Sequence, residues 1–123
     1  MIEGRPIHHL LPQLVFMINV VPLDWKLVFI GSEKSVYMAS RSFSTQKHIE
    51  TGKLELIVLP QPWALDHKED QDRLLTDIRF YDEFLPNAEW VFKYDADSIL
   101  CANSDESLNN MLDFDWIGPV RQV

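Results

Sequence analysis

The sequence is short of cysteine, of positive charge and of long apolar runs. Cys101 is the only cysteine in 123 residues, so there is no internal disulfide framework and no cysteine-based zinc site, and we expect it to be a small buried residue. The 11 Lys and Arg are outnumbered by 19 Asp and Glu, and the formal charge of -8 argues against nucleic acid or an anionic membrane as partner. No apolar stretch has transmembrane length, and no signal peptide with a basic start is present.

The residues that are present indicate one domain or part of one. With 46% apolar residues, a chain of this length can bury one core. Three β-prone apolar runs, at residues 26–30, 54–59 and 90–94, alternate with segments of helical spacing. This alternation predicts an α/β fold with a mostly parallel sheet and helices on both faces. We expect the 90–94 strand to lie at the centre of that sheet.

The expected helices are bounded by proline, glycine and capping residues. One helix begins near Leu11 and ends before Pro22, and the helical region from Asp66 to about Leu85 is broken near Asp77. We also expect two short helical pieces within 32–51, ended by Gly52 in a left-handed conformation, and a helix over 104–112. A strand is expected to start at 115–118, and all four tryptophans are expected in the core.

The most informative stretch is Trp90-Val-Phe-Lys-Tyr-Asp-Ala-Asp-Ser-Ile-Leu-Cys101, in which two carboxylates directly follow a predicted buried strand. Ligands of open α/β sheets gather where the carboxyl ends of strands form a crevice. Two acids there repel one another unless a cation lies between them, and a divalent ion with oxygen ligands meets that need. The sequence therefore predicts a metal- or phosphate-facing site at Asp95 and Asp97.

Spacing alone does not distinguish this pair, because Asp-x-Asp occurs three times. Asp70 and Asp72 lie in a polar, helical stretch, where we expect solvated charges near a helix start. Asp113 and Asp115 flank Phe114 and precede the predicted last strand. Only the middle pair follows a predicted buried strand, and this context favours it.

The stretch from Trp90 to Ser104, followed by Phe114-Asp-Trp-Ile-Gly118, resembles a largely fungal, glycosyltransferase-like family known as DUF5672. Three further segments resemble the landmarks of that family in the right order: Glu3-Gly-Arg-Pro6 with Leu10-Leu-Pro12, Asp24-Trp25, and Asp72-Arg-Leu-Leu-Thr76. The resemblance implies a GT-A-like nucleotide-sugar fold, of which residues 1–123 would form the donor-binding half, cut at both ends. It also implies a glycosyltransferase of the secretory pathway or Golgi.

The resemblance further implies roles for individual residues. Asp97 would be the principal ligand of Mn²⁺ or Mg²⁺, Asp95 a second or water-mediated ligand, and Ser98 a hydrogen-bond partner. The position of Asp95 is often non-acidic in the family, so Asp97 is the safer assignment. The partners would be a nucleoside-diphosphate sugar and an unknown acceptor. Glu3 and Arg5 would lie beside the crevice, or else form an ordinary surface salt bridge, and no general base can be named.

Two other functions fit parts of the sequence. The run Asp95-Ala-Asp97-Ser-Ile-Leu is similar to the opening motif of haloacid-dehalogenase-like phosphatases, whose first aspartate is the nucleophile. That motif normally lies on the first strand, whereas two predicted strands precede it here and only 26 residues follow Asp97. The other possibility is a non-catalytic remnant or binding module of the same fold. For the glycosyltransferase interpretation, we expect the 123-residue chain alone to be a poor catalyst, because it lacks a complete first strand and any candidate base or acceptor loop after Gly118.

Overall fold

The structure, a computed structural model, describes residues 1–118. Its sheet has three parallel strands in the order β1-β2-β3: β1 (Ile2–Glu3), β2 (Leu27–Gly31) and β3 (Leu54–Val58). Ile2 pairs with Ile30 in β2, and Leu27 pairs with Leu54 in β3. The α/β class and the parallel pairing of the strands predicted at 26–30 and 54–59 are therefore confirmed.

Five α-helices connect or follow these strands. They are α1 (Leu10–Val20), α2 (Glu33–Ser40), α3 (Phe43–Glu50), α4 (Lys68–Thr76) and α5 (Ile78–Phe84), and a 3-10 turn follows at Leu108–Met111. The break near Asp77 is confirmed, because its carboxylate accepts the Arg79 N–H and begins α5. Gly52 has a φ of 76° just after α3, as the sequence predicted. The sequence predicts a capping box at Asp66 and Glu69, whereas the box lies one residue later, with the Asp70 carboxylate accepting the His67 N–H at 2.8 Å.

The helices cover both faces of the sheet, because side chains alternate along each strand. Leu27 and Phe29 of β2 belong to one apolar cluster, which α1 joins through Leu14 and Met17. The next residue of β2, Ile30, belongs to the opposite cluster. That cluster also contains Ile2, Leu74 and Phe80, from β1, α4 and α5. The central strand β2 is therefore buried from both sides.

The predicted strand at residues 90–94 is absent, and β2 rather than 90–94 is the central strand. Residues 90–94 have no regular secondary structure, and Phe92 stacks on Tyr94 with ring centroids 6.0 Å apart. The segment pairs with no strand in the part of the chain described. Tyr94 is buried in the same cluster as Met1, whereas Trp90, Val91 and Phe92 remain exposed. The prediction that residues 90–94 form a central, buried strand is therefore wrong for the described residues.

Several expectations for the last described residues are also wrong. Residues 104–112 form only the single 3-10 turn, and 115–118 form no strand. Cys101 is exposed rather than buried. Trp116 is 87% exposed and Trp90 36%, so only Trp25 and Trp63 pack against the apolar clusters. Any continuation of the expected last strand beyond Gly118 lies outside the described residues.

Candidate functional site

The two predicted metal-binding carboxylates lie on a hydrogen-bonded turn. The Ser98 N–H donates to the Asp95 carbonyl oxygen at 3.0 Å, and the Asp95 N–H donates to Ser98 Oγ at 3.1 Å. Ser98 therefore closes the turn from both ends, which is a structural role that the sequence did not predict. Both Asp95 and Asp97 are exposed. The turn presents two carboxylates to solvent from a backbone fixed by two hydrogen bonds.

The turn is anchored to the beginning of α1. Gln13, in the first turn of α1, donates from Nε2 to the Ser98 carbonyl oxygen. Ala96, between the two aspartates, and Leu100, after the turn, pack against the cluster that α1 helps to form. Because α1 follows β1 along the chain, its first turn lies toward the carboxyl end of that strand. The contact of Gln13 with Ser98 thus fixes the acidic turn to the start of α1.

The two carboxylates differ in their electrostatic surroundings. Lys93 Nζ lies 2.7 Å from Asp95 Oδ1, and both side chains are largely exposed. Asp97 forms no ion pair within residues 1–118. Since an exposed pair of this kind contributes at most about 1 kcal/mol, Lys93 partly neutralises Asp95 but can be displaced. The two carboxylates therefore differ in that Asp95 has a neighbouring lysine and Asp97 has no ion pair within residues 1–118.

Glu3 and Arg5 form a pair at the carboxyl end of β1. Arg5 donates to the Glu3 carboxylate from its backbone N–H at 2.8 Å, from Nε at 3.0 Å and from Nη2 at 2.9 Å. Burial opposes ionisation of Glu3, but the Arg5 hydrogen bonds and the charges of Arg5 and His9 outweigh it and lower the pKa of Glu3. The observed interaction of Glu3 and Arg5 is a local salt bridge at the end of β1.

A cleft of about 650 Å³ lies beyond the carboxyl ends of the three strands. Its lining includes Gly4 after β1, Gly31 and Ser32 at the end of β2, and Trp63 after β3. The sequence reasoning did not single out Ser32 or Lys34, which also lines the cleft. The sequence signal that could have identified Ser32 is its position after Gly31, between a predicted strand and a predicted helix. In the structure, Ser32 caps α2 by accepting the Ser35 N–H.

The carboxylate oxygens of the acidic turn could hold a hard divalent cation only if a bound phosphate group also coordinates it. No group of three or more His, Cys, Asp or Glu side chains in residues 1–118 could hold a metal ion by itself. Mg²⁺ and similar ions in phosphate-binding sites usually take one or two carboxylates, with waters and phosphate oxygens completing the shell. Asp97 with Asp95 supplies such a partial set. The Asp70 carboxylate is used as a helix cap, and Asp113 is exposed near the 3-10 turn.

Comparison with known proteins assigns the family. The family described as "Protein of unknown function (DUF5672)" matches residues 53–122, which is more than half of the chain. The matched region includes β3, the two helices after it and the acidic turn. The chain therefore belongs to the DUF5672 family. No match was found among curated proteins or among solved structures. None of the helices in residues 1–118 is long and apolar enough to cross a membrane.

Proposed function

We propose that this protein is the donor-binding part of a glycosyltransferase that uses a nucleoside-diphosphate sugar. The observation that carries the proposal is the exposed turn at Asp95 and Asp97, held against the first turn of α1 beside a parallel sheet. Neighbouring carboxylates in such a position are suited to a cation that also binds phosphate. The resemblance of Trp90 to Ser104 to glycosyltransferase-like proteins supports the same assignment.

The chain's own residues would have distinct roles in binding the donor. Asp97, which has no ion pair within the described range, would be the principal ligand of Mn²⁺ or Mg²⁺. Asp95 would contribute a second or water-mediated contact once Lys93 moves from its carboxylate. Ser98 would hold the two aspartates in register through its hydrogen bonds to Asp95. When bound, the cation would neutralise the charge that develops on the diphosphate as the sugar departs.

The cleft beyond the strand ends is the proposed position of the nucleoside. It borders the end of β1 through Gly4, and Trp63 and the Ser32 region offer aromatic surface and polar groups. A volume of about 650 Å³ falls in the range of small-molecule sites. The donor would extend from this cleft across the end of β1 toward Asp97.

A thermal-shift experiment with MnCl2 and either UDP or GDP tests the proposal. A ligand that is selective for the folded state raises the unfolding midpoint, and saturation should raise it by about 5 °C or more. Neither Mn²⁺ alone nor the nucleotide alone should produce the full shift, because the carboxylates and the diphosphate share the cation.

Matched variants make the test specific to the acidic turn. Asp97→Ala should abolish the shift and Asp95→Ala should weaken it, whereas Asp113→Ala should leave it intact. Equal losses from Asp97→Ala and Asp113→Ala would indicate diffuse binding by an acidic protein. The absence of any cation-dependent shift with either nucleotide would contradict the proposal and favour a module of the same fold without this activity.

A further inference from the structure

Lys93 lies directly beside the acidic turn and forms an ion pair with it. Its Nζ atom is 2.7 Å from Asp95 Oδ1, and the two side chains are 41% and 52% exposed. No other Lys or Arg side chain in residues 1–118 forms an ion pair with Asp95 or Asp97. Lys93 is therefore the one basic side chain of the described range that contacts the proposed ligands of the cation.

The lysine is the movable member of this pair. The Asp95 backbone is fixed, because its N–H donates to Ser98 Oγ at 3.1 Å and its carbonyl oxygen accepts the Ser98 N–H at 3.0 Å. Lys93 carries its charge on a flexible four-carbon stem. An exposed pair of this kind is weak and is screened by salt, so the ammonium group can leave Asp95 while the turn keeps its shape.

The charge balance of the turn shows what the lysine adds. Asp95 and Asp97 together match the charge of one divalent cation, so two carboxylates and one such ion have no net charge. With Lys93 the same group is net positive, which favours the binding of a diphosphate. This local charge counts in a chain whose formal charge is -8 and which repels anions as a whole.

Without a phosphate ligand, Lys93 and a divalent cation compete for Asp95. The ammonium group already contacts one oxygen of this carboxylate, and two cations so close together repel one another. Asp95 can therefore bind a cation only if Lys93 moves away. The displaced ammonium group then has water as its only new partner.

A phosphate group that shares the cation offers the displaced lysine a better partner. Each oxygen ligand of Mg²⁺ lies about 2 Å from the ion, so two ligands of one ion are at most about 4 Å apart. The Lys93 ammonium group, 2.7 Å from Asp95 Oδ1, is within reach of such a phosphate through rotation of its side chain alone. Lysine binds phosphate groups in many proteins as a point charge of this kind.

We propose that Lys93 changes partners when the donor binds: it neutralises Asp95 in the unliganded protein and contacts the diphosphate once Asp95 binds the cation. This inference rests on the proposed function and adds Lys93 to the residues that bind the donor. The nucleotide supplies the partner that the cation takes from Lys93. Cation and nucleotide therefore bind with positive coupling, which is the same whichever binds first.

The test measures cation binding and nucleotide binding separately, by isothermal titration calorimetry of the 123-residue chain. Lys93→Met removes the charge and keeps an unbranched side chain. It should bind Mn²⁺ alone about threefold more tightly than wild type, because no ammonium group competes for Asp95. At saturating MnCl2 it should bind UDP or GDP about tenfold more weakly, because the diphosphate loses a charged contact. A general structural defect would weaken both affinities.

Two further variants make the result specific to the charge at this position. Lys26→Met is the matched control, because Lys26 forms an ion pair of similar exposure, 52% and 44%, with Glu55 of β3. It should change neither affinity. Lys93→Arg keeps the charge and should retain the nucleotide affinity of wild type within about threefold.

The outcomes separate this inference from the proposed function. Equal affinities of wild type and Lys93→Met, changes of the same sign in both affinities, or equal effects of Lys26→Met would overturn the role of Lys93 while leaving cation-dependent nucleotide binding in place. Wild-type protein that binds neither nucleotide in the presence of Mn²⁺ would contradict the proposed function itself, and this inference with it.

Discussion

Residues 27–31 and 90–94 have similar apolar sequences, Leu-Val-Phe-Ile-Gly and Trp-Val-Phe-Lys-Tyr, and different structures. The first is the central strand β2, with a parallel partner on each side and Phe29 fully buried. The second has no regular secondary structure and no strand partner in the described residues, and Phe92 is 36% exposed. The difference shows that β-propensity describes how well a residue fits a half-buried surface, while the neighbouring strand decides whether a ladder forms.

The same substitution in both segments should show the largest difference between them. Phe29→Ala should lower the free energy of unfolding by about 3–5 kcal/mol, because it leaves a cavity between β2 and the helices. Phe92→Ala should cost less than about 1 kcal/mol, since its ring is partly solvated and packs mainly on Tyr94. Denaturant unfolding followed by circular dichroism measures both values. Similar losses would contradict the structural difference.

The close approach of β1 and α2 to β2 predicts the next largest effect. A Cβ atom added at Gly31 would clash with Ser35 Oγ and lie 2.7 Å from the Glu3 carbonyl oxygen. We expect Gly31→Ala to cost about 3 kcal/mol, because backbone must shift to admit the methyl group. Gly52→Ala is the control: nothing lies within 4 Å, and only the φ of 76° opposes it, at about 1 kcal/mol. Unfolding free energies that reverse this order would show that the strands are less tightly apposed.

A smaller difference in unfolding free energy is expected between Glu3, at the end of β1, and Asp95, after the 90–94 segment. The pKa of Glu3 is lowered in the folded protein, so its stabilising contribution is present above the unfolded pKa of about 4.3 and disappears as pH falls through the lower, folded value. Glu3→Gln should therefore destabilise the protein at pH 7 by less than about 1 kcal/mol, and the difference from wild type should vanish on acidification.

Asp95→Asn is the matched substitution for that experiment. Asp95 forms an ion pair with the exposed side chain of Lys93 and lies outside the sheet. Asp95→Asn should therefore change the unfolding free energy by less than Glu3→Gln does. Urea titrations of the three proteins between pH 3 and 7 provide the comparison. A Glu3→Gln effect that grows on acidification would show that the sign of the Glu3 shift is wrong.

Local patterns in the sequence were sufficient for the elements whose partners lie close in the chain. The strand predicted at 54–59 is Leu54–Val58, and the helix predicted from Leu11 is Leu10–Val20. The break at Asp77 and the left-handed Gly52 also follow from local chemistry. Both aspartates are exposed after residues 90–94, and their metal-binding role stays a prediction.

The rest depends on contacts that no local pattern encodes. An apolar run such as 90–94 becomes a strand only when a neighbour offers backbone groups, and no strand of the described residues pairs with it. The same reason accounts for the exposed Cys101 and Trp116, which were expected to be buried beside strands that the described residues do not form. The cleft at the strand ends and the Gln13 contact to Ser98 required the three-dimensional arrangement of α1 and the sheet.

Amide hydrogen exchange of the unliganded chain measures the difference between the two segments most directly. The Phe29 amide should exchange only through global unfolding, because it lies in a ladder buried on both faces. The amides of Val91 and Phe92 should exchange at rates near those of an unstructured chain, because they have no hydrogen-bond acceptor in residues 1–118. Protection of Val91 and Phe92 equal to that of Phe29 would contradict the account, since it would show that residues 90–94 form a paired strand in solution.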